Sequence, residues 1–197
     1  MVKGVVTFTC LIVVLMGSTA LAGAPTDAIK ETTDKIIHIV TDPGLKGAEK
    51  SEKKARMIRE AVDERFDWVE MTRRALARHW KDRTDEEKKT IIKLFSDLLE
   101  QTYLEKVEGY SGEKVLYEGE QVDGKYGVVS VKIVTRKDTE IPVKYRVKNE
   151  GDGWRVYDIS ITGVSLINNY RKQFNSIITR SSYEELVEKL KAKVGSR

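Results

Sequence analysis

Cysteine is almost missing from this chain: its one cysteine, Cys10, falls inside an apolar stretch near the N-terminus. A disulfide framework is therefore excluded, and stability must come from a buried core. Histidine is nearly as scarce. His38 and His79 are the only two, and neither has another soft ligand at close spacing, which argues against a zinc or iron site. The chain also lacks a G-x-S-x-G elbow, a Walker loop and a dinucleotide fingerprint; Gly151 and Gly153 read as a hairpin. Internal repeats and low-complexity tracts are missing too. Charge of one sign is not concentrated anywhere. The net charge of +4 arises from interspersed Lys, Arg, Asp and Glu, and the short pairs Lys53-Lys54 and Lys88-Lys89 are flanked by acids. That pattern is a solvated surface and not a nucleic-acid stripe.

Long apolar runs are confined to the start. Residues 1–22 open with Lys3, continue through VVTFTCLIVVLMG and end in Ala20-Leu21-Ala22, a small-residue cleavage pattern. The apolar core is too short for a membrane span, so the segment reads as a secretory signal peptide. Residues 23–197 are expected to form one α+β domain, with 23–112 mainly helical, 113–162 a sheet and 163–197 a pair of C-terminal helices.

What is present is a change of period. From Asp27 to Val40 the residues Ile29, Ile36, Ile37 and Val40 share a helix face, closed by Asp42-Pro43-Gly44. A second helix is predicted over Ser51 to Glu64, with Ala55, Ile58 and Val62 inward. A third is capped by Asp67 and carries Trp68, Met71, Ala75 and Leu76, with His79 near the middle of its stripe as a hydrogen-bonded core histidine. Thr84-Asp85-Glu86-Glu87 is a capping box for a fourth helix whose stripe includes Ile91, Leu94, Phe95, Leu98, Leu99 and Tyr103. From Glu113 the period becomes two. Glu113 to Val122, Tyr126 to Arg136, Glu140 to Asn149 and Trp154 to Thr162 are four strands with hairpin-type links, hence an antiparallel meander covered by helices. Gly163 permits a sharp exit into a helix starting at Val164, and a last helix runs from Tyr183 to Val194 behind a Ser-x-x-Glu cap.

Two features bear on function. Apolar side chains are in excess: Val129, Val131, Ile133, Val143, Tyr145, Val156 and Ile161 on the sheet, and Val164, Ile167, Tyr170 and Phe174 on the helix after it. Such stripes serve either as ordinary core or as walls of a ligand cavity, and periodicity does not distinguish the two. The other feature is Asp158 beside Tyr157 near the end of the last strand, the pair to suspect in an acid–base enzyme, or a hydrogen-bonded structural carboxylate.

The stretches FDWVEMTRRALARHWKDRTDEEKKTIIKLFSDLLEQTY, from Phe66, and WRVYDISITGVSLINNYRKQFNSII, from Trp154, resemble the MlaC, or toluene-tolerance, family of periplasmic phospholipid-binding proteins. The matching positions are Phe66, Asp67, Trp68, Met71, Arg73, Leu76, Trp80, Thr84 and Tyr103 in the first stretch. In the second they are Tyr157, Asp158, Gly163 to Leu166, Tyr170, Arg171, Gln173 and Phe174. Thr72 and Ala77 depart from the family's usual Ala and Gly, and Ser182 lies near where a glycine is common.

The resemblance implies a cone-like α+β body: a four-stranded meander curved against N-terminal helices and a C-terminal pair, around an internal apolar cavity. It implies a non-enzymatic, monomeric, soluble periplasmic carrier of phospholipid, without a cofactor. Its partners would be an inner-membrane ABC transporter complex and an outer-membrane lipoprotein complex, met through transient membrane-proximal contacts that maintain outer-membrane lipid asymmetry. A hopanoid-type lipid is the alternative cargo. On this reading Leu98, Tyr103 and the sheet and helix residues named above line the cavity. Arg74, Arg78 and Arg171 become candidates for headgroup or docking contacts, and Lys81 shares the basic side of the third helix; a solvated helix face explains these charges equally simply.

Overall fold

The structure, a computed structural model, describes residues 24–195; the expected signal peptide lies outside them. Four helices precede the sheet: α1 (Pro25–Thr41), α2 (Ser51–Asp63), α3 (Trp68–Leu76) and α4 (Asp85–Glu108). Then come β1 (Lys114–Asp123), β2 (Tyr126–Val134), β3 (Glu140–Asn149), β4 (Trp154–Ile161) and β5 (Val164–Ser165), followed by α5 (Leu166–Arg180) and α6 (Tyr183–Val194). The strands form one antiparallel sheet in sequence order.

Local chemistry accounts for most boundaries. Asp67 caps α3 by accepting from the Glu70 amide, and Thr84 and Glu87 close the reciprocal capping box that starts α4. Ser182 caps α6 by accepting from the Glu185 amide. Three expectations are corrected. The sheet has five strands and not four, because Thr162 (φ 48) and Gly163 (φ 83) make a two-residue turn that folds Val164 and Ser165 back beside β4. Ser165 then caps α5, so the helix starts at Leu166 and not at Val164. The third helix is also shorter than its apolar stripe suggests. It stops at Ala77, whose φ of 51 and ψ of −119 break the helical path, and His79 lies in the 3₁₀ turn Ala77–Trp80.

Three apolar clusters hold the fold. One joins α3, α4, α5 and α6 around Met71, Phe95, Leu98, Phe174 and Leu186. A second covers the inner face of the sheet, where Val129, Val131, Val147, Trp154 and Val156 meet Ile29 of α1. The third ties α1 to α2 through Ile39, Leu45, Ile58 and Ala61. A bulge in β4 shifts the register between Arg146 and Val147 and reverses the alternation of the strand, so Val156 before it and Ile159 after it both pack with the sheet cluster while Tyr157 packs with the helical one. The free edge of β4 at Val156 pairs with the α2–α3 link, where Asp67 donates to the Val156 carbonyl and the Val156 amide to the Arg65 carbonyl.

Candidate functional site

The three clusters do not merge. Their half-buried margins face one another across a cavity of about 580 Å³. α1 lines it with Ile29, Ile36, Ile37 and Val40, α2 with Ile58 and Val62, and α4 with Leu99, Tyr103, Leu104 and Val107. The sheet supplies Val115, Ile133, Ile141, Val143, Tyr145, Ile159 and Ile161. Inward-facing aliphatic residues such as Ile36, Val62, Ile133 and Ile141 are only partly buried. They keep accessible surface because no packing partner reaches them, which is the signature of a void and not of a filled core.

One end is closed. Along β3 the cavity residues are Ile141, Val143 and Tyr145, and the next inward residue, Val147, is completely buried in the sheet cluster. At the opposite end of the strands, the charged side chains of Lys106 and Glu113 line the cavity with Tyr110 and Thr135. The Glu113 carboxylate accepts from the Ser111 amide and hydroxyl, both at 2.8 Å, which holds it below the usual carboxylate range. Lys106 Nζ lies 5.3 Å from the centre of the Tyr103 ring. Tyr145 sits deep enough for burial to push its phenol up to about 12. Burial raises Tyr103 in the same direction. Two guanidiniums reach the wall, both engaged. Arg59 is paired with Asp63, Asp97 and Glu100, and Arg65 donates to Thr32 Oγ1, the Trp154 carbonyl and Glu31.

Of the wall residues expected from sequence, the structure brings Tyr103, Ile133, Val143, Tyr145 and Ile161 together around this cavity. The others lie elsewhere. Val129, Val131 and Val156 are buried in the sheet cluster, and Leu98, Ile167, Tyr170 and Phe174 belong to the helical cluster. There Tyr170 and Phe174 meet Phe95 edge-on, at 5.0 and 5.2 Å between ring centres. Val164 is 58% exposed on the short β5. The helix after Gly163 is therefore not a wall over the sheet, and only Leu166 at its start touches the cavity. Its place is taken by α1 and α2. The broad β-branched face of α1, with Thr32 and Thr33 among its isoleucines, was the available signal.

The three arginines knit helices together away from the cavity. Arg171 Nε donates to the Arg74 carbonyl at 2.9 Å, and Arg78 donates to Asn175, which also meets His79 Nε2 at 3.0 Å. The Arg74 guanidinium lies 4.2 Å from the centre of the Tyr157 ring. Asp158 is buried but does not line the cavity. Its carboxylate accepts from Ser165 Oγ at 2.7 Å and from the Ile167 amide at 3.1 Å, which anchors the start of α5. Arg146 approaches it at 3.6 Å. Among the described residues no group of His, Cys, Asp and Glu could hold a metal ion, and no helix is long and apolar enough to cross a membrane.

Fold and hollow together define a class: an α+β container in which an antiparallel meander and flanking helices enclose an apolar cavity closed at one end. The family model for the MlaC protein matches residues 30–192, and the chain belongs to the MlaC family. A Haemophilus influenzae relative, the intermembrane phospholipid transport system binding protein MlaC, is 25% identical over 122 residues. That match covers 59% of this chain and 57% of the relative, so the chain spans little more than half the length of that curated relative. A solved structure of a phospholipid-binding protein from Ralstonia solanacearum, in complex with a phospholipid, aligns with a TM-score of 0.80 at 26% identity. The alignment covers 88% of this chain and 98% of that one.

Proposed function

We propose that this chain is a periplasmic lipid carrier that shelters the acyl chains of a phospholipid in the cavity and exchanges the lipid with membrane-bound complexes at the two membranes. The observation that carries this reading is the unfilled apolar hollow of about 580 Å³, a size typical of ligand sites. A diacyl lipid hides on the order of 30 methylenes, which at about 0.8 kcal/mol each amounts to roughly 24 kcal/mol against free passage through water. A container of comparable apolarity removes that barrier and leaves handover nearly balanced. The Ralstonia structure, with its bound phospholipid, and the name of the Haemophilus relative support phospholipid as the cargo. On this reading the chain acts as a monomer without a cofactor, and its partners are an inner-membrane ABC transporter complex and an outer-membrane lipoprotein complex. A hopanoid-type lipid is a variant of the same function. An enzyme built around Asp158 gains no support, because that carboxylate is spent on the start of α5.

Filling the cavity tests the reading. Ile133→Trp and Ile161→Trp, each on the cavity wall, are expected to cut the lipid recovered with the purified protein at least fivefold while the fold persists. Val164→Trp, on the exposed β5, is the control and leaves lipid content unchanged. Wild-type lipid in both wall variants would refute the placement of the acyl chains in this cavity.

A further inference from the structure

The polar groups at the closed end of the cavity divide into satisfied and unsatisfied. Arg65 is engaged by Thr32, the Trp154 carbonyl and Glu31, and the Thr33 hydroxyl donates to the Ile29 carbonyl at 2.8 Å. The tyrosines differ. Tyr145 is the last cavity residue of β3 before the solid core at Val147, and its hydroxyl makes no hydrogen bond to any described residue. Its ring retains surface, and that surface faces the cavity. Tyr117, two strands away on the same inner face, buries its hydroxyl beside Thr33 without a well-formed partner. Buried phenols ordinarily find a partner, and one left against hydrocarbon forfeits the hydrogen bond it made to water.

We propose that the closed end is a hydrogen-bonding floor, where the Tyr145 hydroxyl donates to an oxygen near the distal end of the bound acyl chain. The site then prefers chains with a terminal hydroxyl or keto oxygen over plain hydrocarbon chains. This rests on the carrier reading above and adds a specificity determinant to it. Tyr103 on α4 is the other phenol well inside the wall, and it lies toward the charged end beside Lys106, so the two phenols sit at different depths along a bound chain. A single neutral hydrogen bond made only with the oxygenated chain is worth about three- to tenfold in affinity.

The test is a competition for the delipidated protein between two phosphatidylethanolamines of equal chain length, one carrying a hydroxyl at the end of an acyl chain. Bound ratios are read by native mass spectrometry. Enrichment of the hydroxylated lipid by about three- to tenfold is expected, and Tyr145→Phe, which keeps the ring, is expected to bring the bound ratio of the two lipids to one. Equal uptake by the wild type, or enrichment that survives Tyr145→Phe, overturns the floor and leaves the carrier standing. Uptake of neither lipid removes the carrier reading and the floor with it.

Discussion

Ala77 occupies a backbone conformation that favours glycine. At φ 51 and ψ −119 its Cβ crowds the adjoining carbonyl, and it is one of three non-glycine residues with positive φ among those described. Its side chain is exposed, so removing the methyl forfeits no packing. Ala77→Gly is expected to stabilise the protein by about 1 kcal/mol, the relief of strain exceeding the added freedom of the unfolded chain. A higher urea midpoint with unchanged slope would show it, and an unchanged or lower midpoint would contradict it. The departure of Ala77 from the family's usual glycine was visible in the sequence; that it ends the helix there was not.

At the scale of elements, α3 is tied to its neighbours through a short chain of charges. Glu70, 8% exposed, accepts from Arg73 Nε at 2.7 Å and from Arg74 Nε at 2.7 Å, and Arg74 in turn stacks on Tyr157 of β4 and receives Arg171 of α5 on its carbonyl. The hydrogen bonds from Arg73, then those from Arg74, hold the Glu70 carboxyl below its ordinary value of 4.5 despite burial. A depressed native value means that the contribution is complete above about pH 4.5 and is lost as pH falls through that lower value. Glu70→Gln is therefore expected to lower the melting temperature by about 4 °C at pH 7, with the gap to wild type closing on acidification below 4.5. A gap that does not change with pH would mean that the effect comes from packing. Strands and caps were legible because each is encoded within a few neighbouring residues: the alternation in β3, Thr84 with Glu87, Ser182 with Glu185. The β4 bulge was not, and it puts Ile159 and Ile161, in place of Asp158 and Ser160, on the face that holds Val156. Which way α5 faces was hidden for the same reason. Its apolar stripe fits Phe95 and the sheet equally well until the turn at Thr162-Gly163 and the Asp158 anchor set its direction.

For the whole molecule, the property that matters is a relation between elements that no single one of them carries. Each cluster closes on itself and leaves a margin of aliphatic surface, and the three margins together make the hollow. Sequence shows the stripes but not the gap between them, which is why Tyr103, Ile133, Val143, Tyr145 and Ile161 could be named while α1 and α2 were not recognised as walls. Apolar wall in contact with water is unfavourable, and an apolar chain that displaces the water both binds and stabilises the container. The most direct measurement of this claim is native mass spectrometry, with lipid extraction in parallel, on the protein purified without detergent from a Gram-negative periplasm. Phospholipid bound to the folded protein, with masses that report headgroup and chains, is the predicted result. Protein that emerges bare and takes up no lipid from phospholipid vesicles would contradict the account.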